Sequence, residues 1–262
     1  MPDLRGFMLP RSPEGRASIV PAPPWHYSGD VLTLEYRTAP GTVARWLPDG
    51  LEPAVDEPDA VALIWADWQS CSDAGDELLD PVRSQYKECF AVVRCRYRGE
   101  TYSRCIQIWV DKDFALARGW FQGYPKKLGS IWMTRPVTVG RAGPRLEPGG
   151  TFGATLAAND RLLAQARFTI EGESQTGGSV NALPMLHSRL MPAIDPAAGD
   201  ALDELVTMRS SDVELGTCYT GGFELTLHDA SADELMSLPV VEPIAGYWRQ
   251  VGATFTGGRV VG

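Results

Sequence analysis

Lys126 and Lys127 stand side by side in Gly123-Tyr124-Pro125-Lys126-Lys127-Leu128-Gly129, with Trp120 and Phe121 before them and Ile131 and Trp132 after. Two ammonium groups in an apolar, glycine-bounded segment are chemically unusual, because burying such a charge without a partner costs several kcal/mol or drives off its proton. A lysine held neutral near pH 7 is a nucleophile, and its natural target is a carbonyl carbon. The plain alternative is a solvated turn with two surface lysines, against which the aromatic flanks weigh.

The elements that must position these lysines are short. Twenty-seven glycines and 20 prolines cut the 262 residues into brief segments with little helical periodicity, which predicts a mainly β (α+β) single domain spanning residues 1–262. In the clearest strand, Val93 to Arg98, Val93, Cys95 and Tyr97 alternate with three arginines, and Arg98-Gly99-Glu100 turns the chain. Strict alternation in the next strand puts Tyr102, Ile106, Ile108 and Val110 on one face. Ser103, Cys105, Gln107 and Trp109 then lie on the other, as an expected cavity lining. Thr151–Ala158 pairs with Leu162–Ile170 across Asn159-Asp160. Val61–Trp68, Val137–Val139, Val213–Tyr219 and Phe223–Leu227 are further strands; Thr42–Trp46 and Ala232–Met236 are short helices, and 172–178 is a polar connector. Many antiparallel strands with few helices imply a closed barrel or paired sheets, since open edges are a liability.

Composition excludes several functions. The net charge of −9 argues against nucleic-acid binding, and no apolar run of about 18 residues spans a membrane. The N-terminus shows no basic-then-apolar signal pattern, and five cysteines without Cys-x-x-Cys spacing read as reduced thiols, so a cytoplasmic location is expected. The three histidines (His26, His187, His228) are far apart, and no phosphate-binding or dinucleotide-binding glycine loop occurs. No metal site or bound cofactor is therefore expected.

Tyr124-Pro125-Lys126-Lys127-Leu128-Gly129 resembles the active-lysine motif of the acetoacetate decarboxylase family. Leu34-Glu35-Tyr36-Arg37-Thr38, Leu47-Pro48-Asp49-Gly50-Leu51, Tyr86-Lys87-Glu88, Leu183-Pro184 through Met191-Pro192, and Tyr219-Thr220-Gly221-Gly222 are similar to its other motifs in the same order. They cover roughly residues 20–250. The resemblance implies a cone-shaped closed antiparallel β-barrel, a homo-oligomer, and catalysis through a covalent lysine imine without a cofactor. By motif position Lys126 forms the Schiff base, Lys127 is its neighbour and Glu88 is the active-site glutamate. Successive side chains of an extended segment point to opposite sides, so burial in a pocket rather than Lys127 is expected to lower the Lys126 pKa. Lys127 would otherwise reach outward to a carboxylate.

Two departures bear on the reaction. Where the decarboxylases carry a substrate-binding arginine this chain aligns Gly29, and their Gly-Arg-Glu upstream of the lysines is replaced by Arg118-Gly119-Trp120-Phe121-Gln122. An insertion around Asp76–Ser84 precedes Glu88 and could reshape the entrance. Family members that act as aldolase–dehydratases on pyruvate share Arg-Gly-x-x-Gln-Gly. The resemblance therefore favours condensation of a 2-oxo acid with an aldehyde, followed by dehydration; the alternatives are 3-oxo acid decarboxylation and an inactive small-molecule-binding barrel. Gln122 either holds a substrate carboxylate or hydroxyl or caps a turn. Tyr247 is either an acid or an aromatic core residue. Arg104 either replaces the missing arginine or faces solvent or an ion pair, and Trp120 is a further candidate substrate contact.

Overall fold

The computed structural model describes residues 3–262. In chain order the strands are β1 (Trp25–Arg37), β2 (Glu52–Pro53), β3 (Ala60–Ser72), β4 (Gln85–Tyr97) and β5 (Glu100–Val110). Past a single α-helix, α1 (Asp113–Gln122), come β6 (Lys126–Leu128), β7 (Ser130–Met133), β8 (Thr151–Ala158), β9 (Arg161–Thr169) and β10 (Gly172–Ser174). The last are β11 (Leu186–Pro192), β12 (Asp200–Leu215), β13 (Cys218–Gly221), β14 (Phe223–Leu227) and β15 (Glu242–Val260). Both hairpins expected from the turn residues form. Arg98 and Gly99, at φ 51° and 88°, connect β4 to β5, and Asn159 and Asp160, at φ 49° and 59°, connect β8 to β9.

The strands make two sheets. The larger has 11 strands and a main order β10-β13-β15-β1-β3-β4-β5-β6, with β12 also pairing β15 and carrying β11 on its far side. The smaller runs β14-β9-β8-β7. Paired sheets are thus what the pairing shows, while closure into one barrel is not: among the described residues the main ladder ends at β6 and at β10.

Alternation gives the large sheet two apolar faces. Leu32, Leu34, Trp65, Cys89 and Trp109 pack against Phe152, Leu156 and Phe168 of the small sheet. On the opposite face Trp25, Ile64, Phe90 and Ile108 pack against Phe114 and Ala115 of α1. Both faces being buried explains why β3 reads as a nearly continuous apolar run, Ala60 to Ala66.

The strict alternation expected in β5 fails at one point. Ala91 pairs with Gln107 but Val92 pairs with Cys105, so Ile106 is an extra residue in a β-bulge. Ile106 and Trp109 therefore face the small sheet, and Cys105, Ile108 and Val110 face α1. Four other expectations change. Residues 137–139 form no strand, 213–219 is interrupted at Gly216 and Thr217, and the connector at 172–178 begins as strand β10. The short helices at Val43–Trp46 and Leu235–Ser237 are single 3₁₀ turns.

Candidate active site

Lys126 opens β6, which lies parallel to β5 with Ile108 opposite Lys126. The chain reaches that edge because α1 stops at Gly123, whose φ of 85° gives the left-handed turn that ends many helices. Gly119, one turn back, is required by contact rather than by φ. A Cβ there would lie 2.2 Å from Cδ of Lys126, so the lysine stem packs directly on the helix backbone. The Trp120 indole donates to the Lys126 carbonyl at 3.0 Å, fixing the same segment from outside.

The side chains of the lysine pair part as strand geometry requires. Lys126 is 6% exposed, and its Nζ donates to Oε2 of Glu88 at 3.0 Å. Glu88, 8% exposed, stands in β4 between Ala66 of β3 and Val110 of β5. Its Oε1 accepts a 2.8 Å hydrogen bond from the Trp68 indole. The Lys127 side chain is 48% exposed and pairs with Asp233, which is itself buried; it lies over the Trp109 ring, away from Glu88.

Around Lys126 is a cavity of about 170 Å³, lined by Tyr27, Trp68, Tyr86, Gln122 and Tyr124 on the β1–β3–β4–α1 side. Met208 and Ser210 of β12 with Ala253 and Phe255 of β15 complete it. The rings of Tyr86 and Tyr124 lie 5.5 and 5.7 Å from the Lys126 nitrogen. Burial pushes both phenols up, and the nearby Glu88 carboxylate adds to the effect, so they are proton-bearing groups at neutral pH. The Tyr27 phenol is also raised by burial, against the opposing influence of the nearby Arg118 guanidinium.

Arg118 is the group that the spacing argument did not single out. It is 3% exposed, donates to the Ser70 hydroxyl at 3.1 Å, and lies 4.9 and 5.4 Å from the centres of the Trp25 and Tyr27 rings. Among the described residues no carboxylate pairs with it. A buried guanidinium held by aromatic faces and one hydroxyl keeps charge in reserve for an anion. Its signal in the sequence was its place eight residues before Lys126, next to Gly119 and one helical turn before Gln122, visible only once α1 is recognised as a helix.

The other expected site residues divide. Gln122 lines the cavity. Arg104 is buried and does not line it; its guanidinium holds β11, donating to the Leu186 carbonyl at 3.2 Å and the Ser188 hydroxyl at 2.8 Å. Burial pushes its pKa down. Tyr247 is half-buried beside Glu35 and Cys218, outside the cavity. Trp120 is exposed and touches the motif through its backbone contact. The segment 76–84 forms two 3₁₀ turns in which Glu77 caps Ser72, and it contributes nothing to the lining. Gly29 has no room for a side chain: a Cβ would lie 2.4 Å from the Asp67 carbonyl and 2.6 Å from the Trp68 ring. An arginine there would displace the tryptophan that holds Glu88.

Among the described residues no cluster of three or more His, Cys, Asp or Glu side chains could hold a metal, and no helix is long and apolar enough to cross a membrane. The family model for acetoacetate decarboxylase (ADC) matches residues 8–262. No curated protein matches the chain by sequence. Among the solved structures similar to it over nearly its whole length are three that bear on its chemistry. The enduracididine biosynthesis enzyme MppR complexed with the condensation product of pyruvate and imidazole 4-carboxaldehyde is 38% identical, covering 98% of this chain and 97% of that one, with a TM-score of 0.92. MppR complexed with pyruvate is 37% identical, covers 98% of each chain and gives 0.91. An acetoacetate decarboxylase-like enzyme from Sphingomonas wittichii RW1 is 25% identical, covers 98% of each chain and gives 0.89.

Proposed function

The chain belongs to the acetoacetate decarboxylase family, and from that premise we propose that it is a lysine-imine lyase that condenses a 2-oxo acid of the pyruvate type with an aldehyde and dehydrates the adduct. The observation that carries this reading is the buried Lys126–Glu88 pair at 3.0 Å inside a small aromatic cavity. The occurrence of pyruvate, and of its condensation product with an aldehyde, in the MppR structures supports the same substrates here.

The chemistry follows from the placement of groups. Glu88 takes the proton that Lys126 must lose, the freed amine adds to the 2-oxo carbon, and Glu88 returns the proton to the hydroxyl that leaves as water, giving a protonated imine beside an ionised Glu88. Arg118, behind Tyr27, supplies positive charge for the substrate carboxylate, and Gln122 offers an amide from the same helix. The imine draws electrons from the adjacent C–H bond, Glu88 accepts that proton, and the resulting enamine carbon attacks the aldehyde. Glu88 hands that proton to the aldol oxygen, takes the second α-proton, and returns it through the Tyr27 phenol on the cavity wall to the hydroxyl, which leaves as water. Hydrolysis returns Lys126. The space that a decarboxylase-type arginine would need is taken by Trp68, which favours this route over loss of carbon dioxide.

Incubation with pyruvate and borohydride, followed by peptide mass mapping, is expected to give a stable adduct on Lys126 and none in Lys126→Ala. No adduct with any 2-oxo or 3-oxo acid would overturn the imine and favour a binding protein. Rapid release of carbon dioxide from acetoacetate would favour decarboxylation.

A further inference from the structure

Among the described residues two side chains hydrogen-bond to Glu88, and each takes one oxygen: the Lys126 ammonium on Oε2 at 3.0 Å and the Trp68 indole on Oε1 at 2.8 Å. The residues beside Glu88 in the sheet, Ala66 of β3 and Val110 of β5, are apolar. The two contacts fare differently once Lys126 reacts. An ammonium has three N–H donors, whereas the nitrogen of a protonated imine keeps one and is tied to the substrate carbon. The Trp68 contact is untouched by the reaction.

The strands hold Trp68 in place to make it. Trp68 stands opposite Tyr86 in the β3–β4 pairing and Glu88 opposite Ala66, so the indole reaches the carboxylate along a diagonal of the sheet. On its other side Gly29 faces Trp68 in the β1–β3 pairing, where a Cβ would lie 2.6 Å from Cε3 of the indole. The ring therefore lies against bare backbone, and Tyr27 meets it edge to face at 6.1 Å.

We infer that Trp68 is a positioning residue: it pins Oε1 of Glu88 so that Oε2 alone takes up and gives back the protons of the reaction, and Gly29 is the notch that seats it. This role rests on the imine reading of Lys126. An indole nitrogen is a donor only, so Trp68 carries no proton itself. An oxygen already accepting from an N–H is the poorer site for an incoming proton, which settles on the other oxygen. That oxygen is the one facing Lys126. Without the indole, the carboxylate turns about its last carbon–carbon bond and presents either oxygen to the lysine.

The step that depends on this aim balances within the site. The C–H bond next to the imine carbon breaks and its electrons form the C=C bond of the enamine. The C=N π electrons move to the Lys126 nitrogen, and the proton goes to Oε2. Return of a proton from Oε2 to carbon reverses each movement.

Imine formation and proton transfer are measured apart. The final amount of pyruvate trapped on Lys126 by borohydride reports the first. Loss of the pyruvate methyl signal in D2O, followed by proton NMR with no aldehyde present, reports the second. Ser210 is exposed and lines the cavity, which keeps the site within reach of water, so the proton on Oε2 exchanges with solvent. Trp68→Phe keeps an aromatic ring and removes the N–H. It is expected to trap as much pyruvate as the native protein and to exchange the methyl protons at least about tenfold more slowly. Trp68→His restores an N–H at the corresponding position of a five-membered ring, and at pH 8 should bring exchange back to within about threefold of native. If Trp68→Phe does not fold, Trp68→Leu supplies the same comparison. Exchange at the native rate in the variant without the N–H overturns the inference alone. So does equal slowing in Trp68→His, which makes ring size the cause, or a matching fall in trapping, which makes cavity shape the cause. Trapping without exchange in the native protein overturns it as well. Absence of any trapped adduct in the native protein overturns the imine reading together with it.

Discussion

Adjacent lysines on one three-residue strand have different surroundings because a strand sends them to opposite sides. Lys126 is inside with Glu88, whereas Lys127 is outside with Asp233. Their separation gives a direct prediction. Lys127→Ala leaves the buried Asp233 carboxylate without its ion-pair partner, which should cost about 1–3 kcal/mol in urea unfolding. The same variant should still form the borohydride-trapped pyruvate adduct, since Lys127 does not reach Glu88 or the cavity. Loss of trapping in a folded Lys127→Ala protein would show instead that the outer lysine acts on the inner one. Burial alone was the expected influence on Lys126, and the structure adds to it a carboxylate in hydrogen-bond contact.

At the scale of elements, α1 and β6 form one device. The helix brings Gln122 to the cavity and Arg118 behind its Tyr27 wall, ends at Gly123, and presents the bare backbone of Gly119 to the lysine stem. Gly119→Ala tests that arrangement, because alanine favours the helix by about 1 kcal/mol while its Cβ occupies the position of the Lys126 stem. The expected result is a helix that folds and a rate of pyruvate trapping reduced at least about tenfold, since a displacement near 1 Å at a reacting group can cost far more. An unchanged rate would mean that the stem moves aside freely. This device was half legible in the sequence. The lysine, Glu88 and Gln122 were marked by family motifs, and the two hairpins by Arg98-Gly99 and Asn159-Asp160. The helix itself was not, because ten residues with a central glycine and arginine lack a clean amphipathic repeat. Without the helix, Arg118 could not be placed. Arg104 and Tyr247, each open to two readings in the sequence, lie outside the cavity for a related reason: the bulge at Ile106 and the placing of β11, β12 and β15 are fixed by pairing across the sheet, which one-dimensional alternation does not contain.

For the molecule as a whole, the double-faced large sheet separates stability from chemistry. One face packs on the small sheet through a largely apolar core, and the other carries the cavity together with most of the buried polar groups. His187 belongs to that second layer. It is 1% exposed, its ring lies 4.1 Å from the Tyr124 ring, and neither ring nitrogen has a protein partner. Burial, with Arg104 and Lys126 nearby, pushes its pKa from 6.5 to about 3. The unfolded chain therefore binds this proton below pH 6.5, while the folded chain refuses it until about pH 3. Over that window the unfolded state holds more protons, so stability is full above pH 6.5 and falls as the pH drops. Asp30 and Glu35, raised by burial, act in the opposite sense as they take up protons, which makes a single-site comparison necessary. His187→Phe removes the titration while keeping a ring of similar shape. Urea unfolding at pH 7 and pH 5 should show a loss in the native protein that exceeds that of His187→Phe by about 1–2 kcal/mol. Equal losses in the two proteins would mean that His187 is protonated in the folded state and that the polar layer around Lys126 accepts a further positive charge.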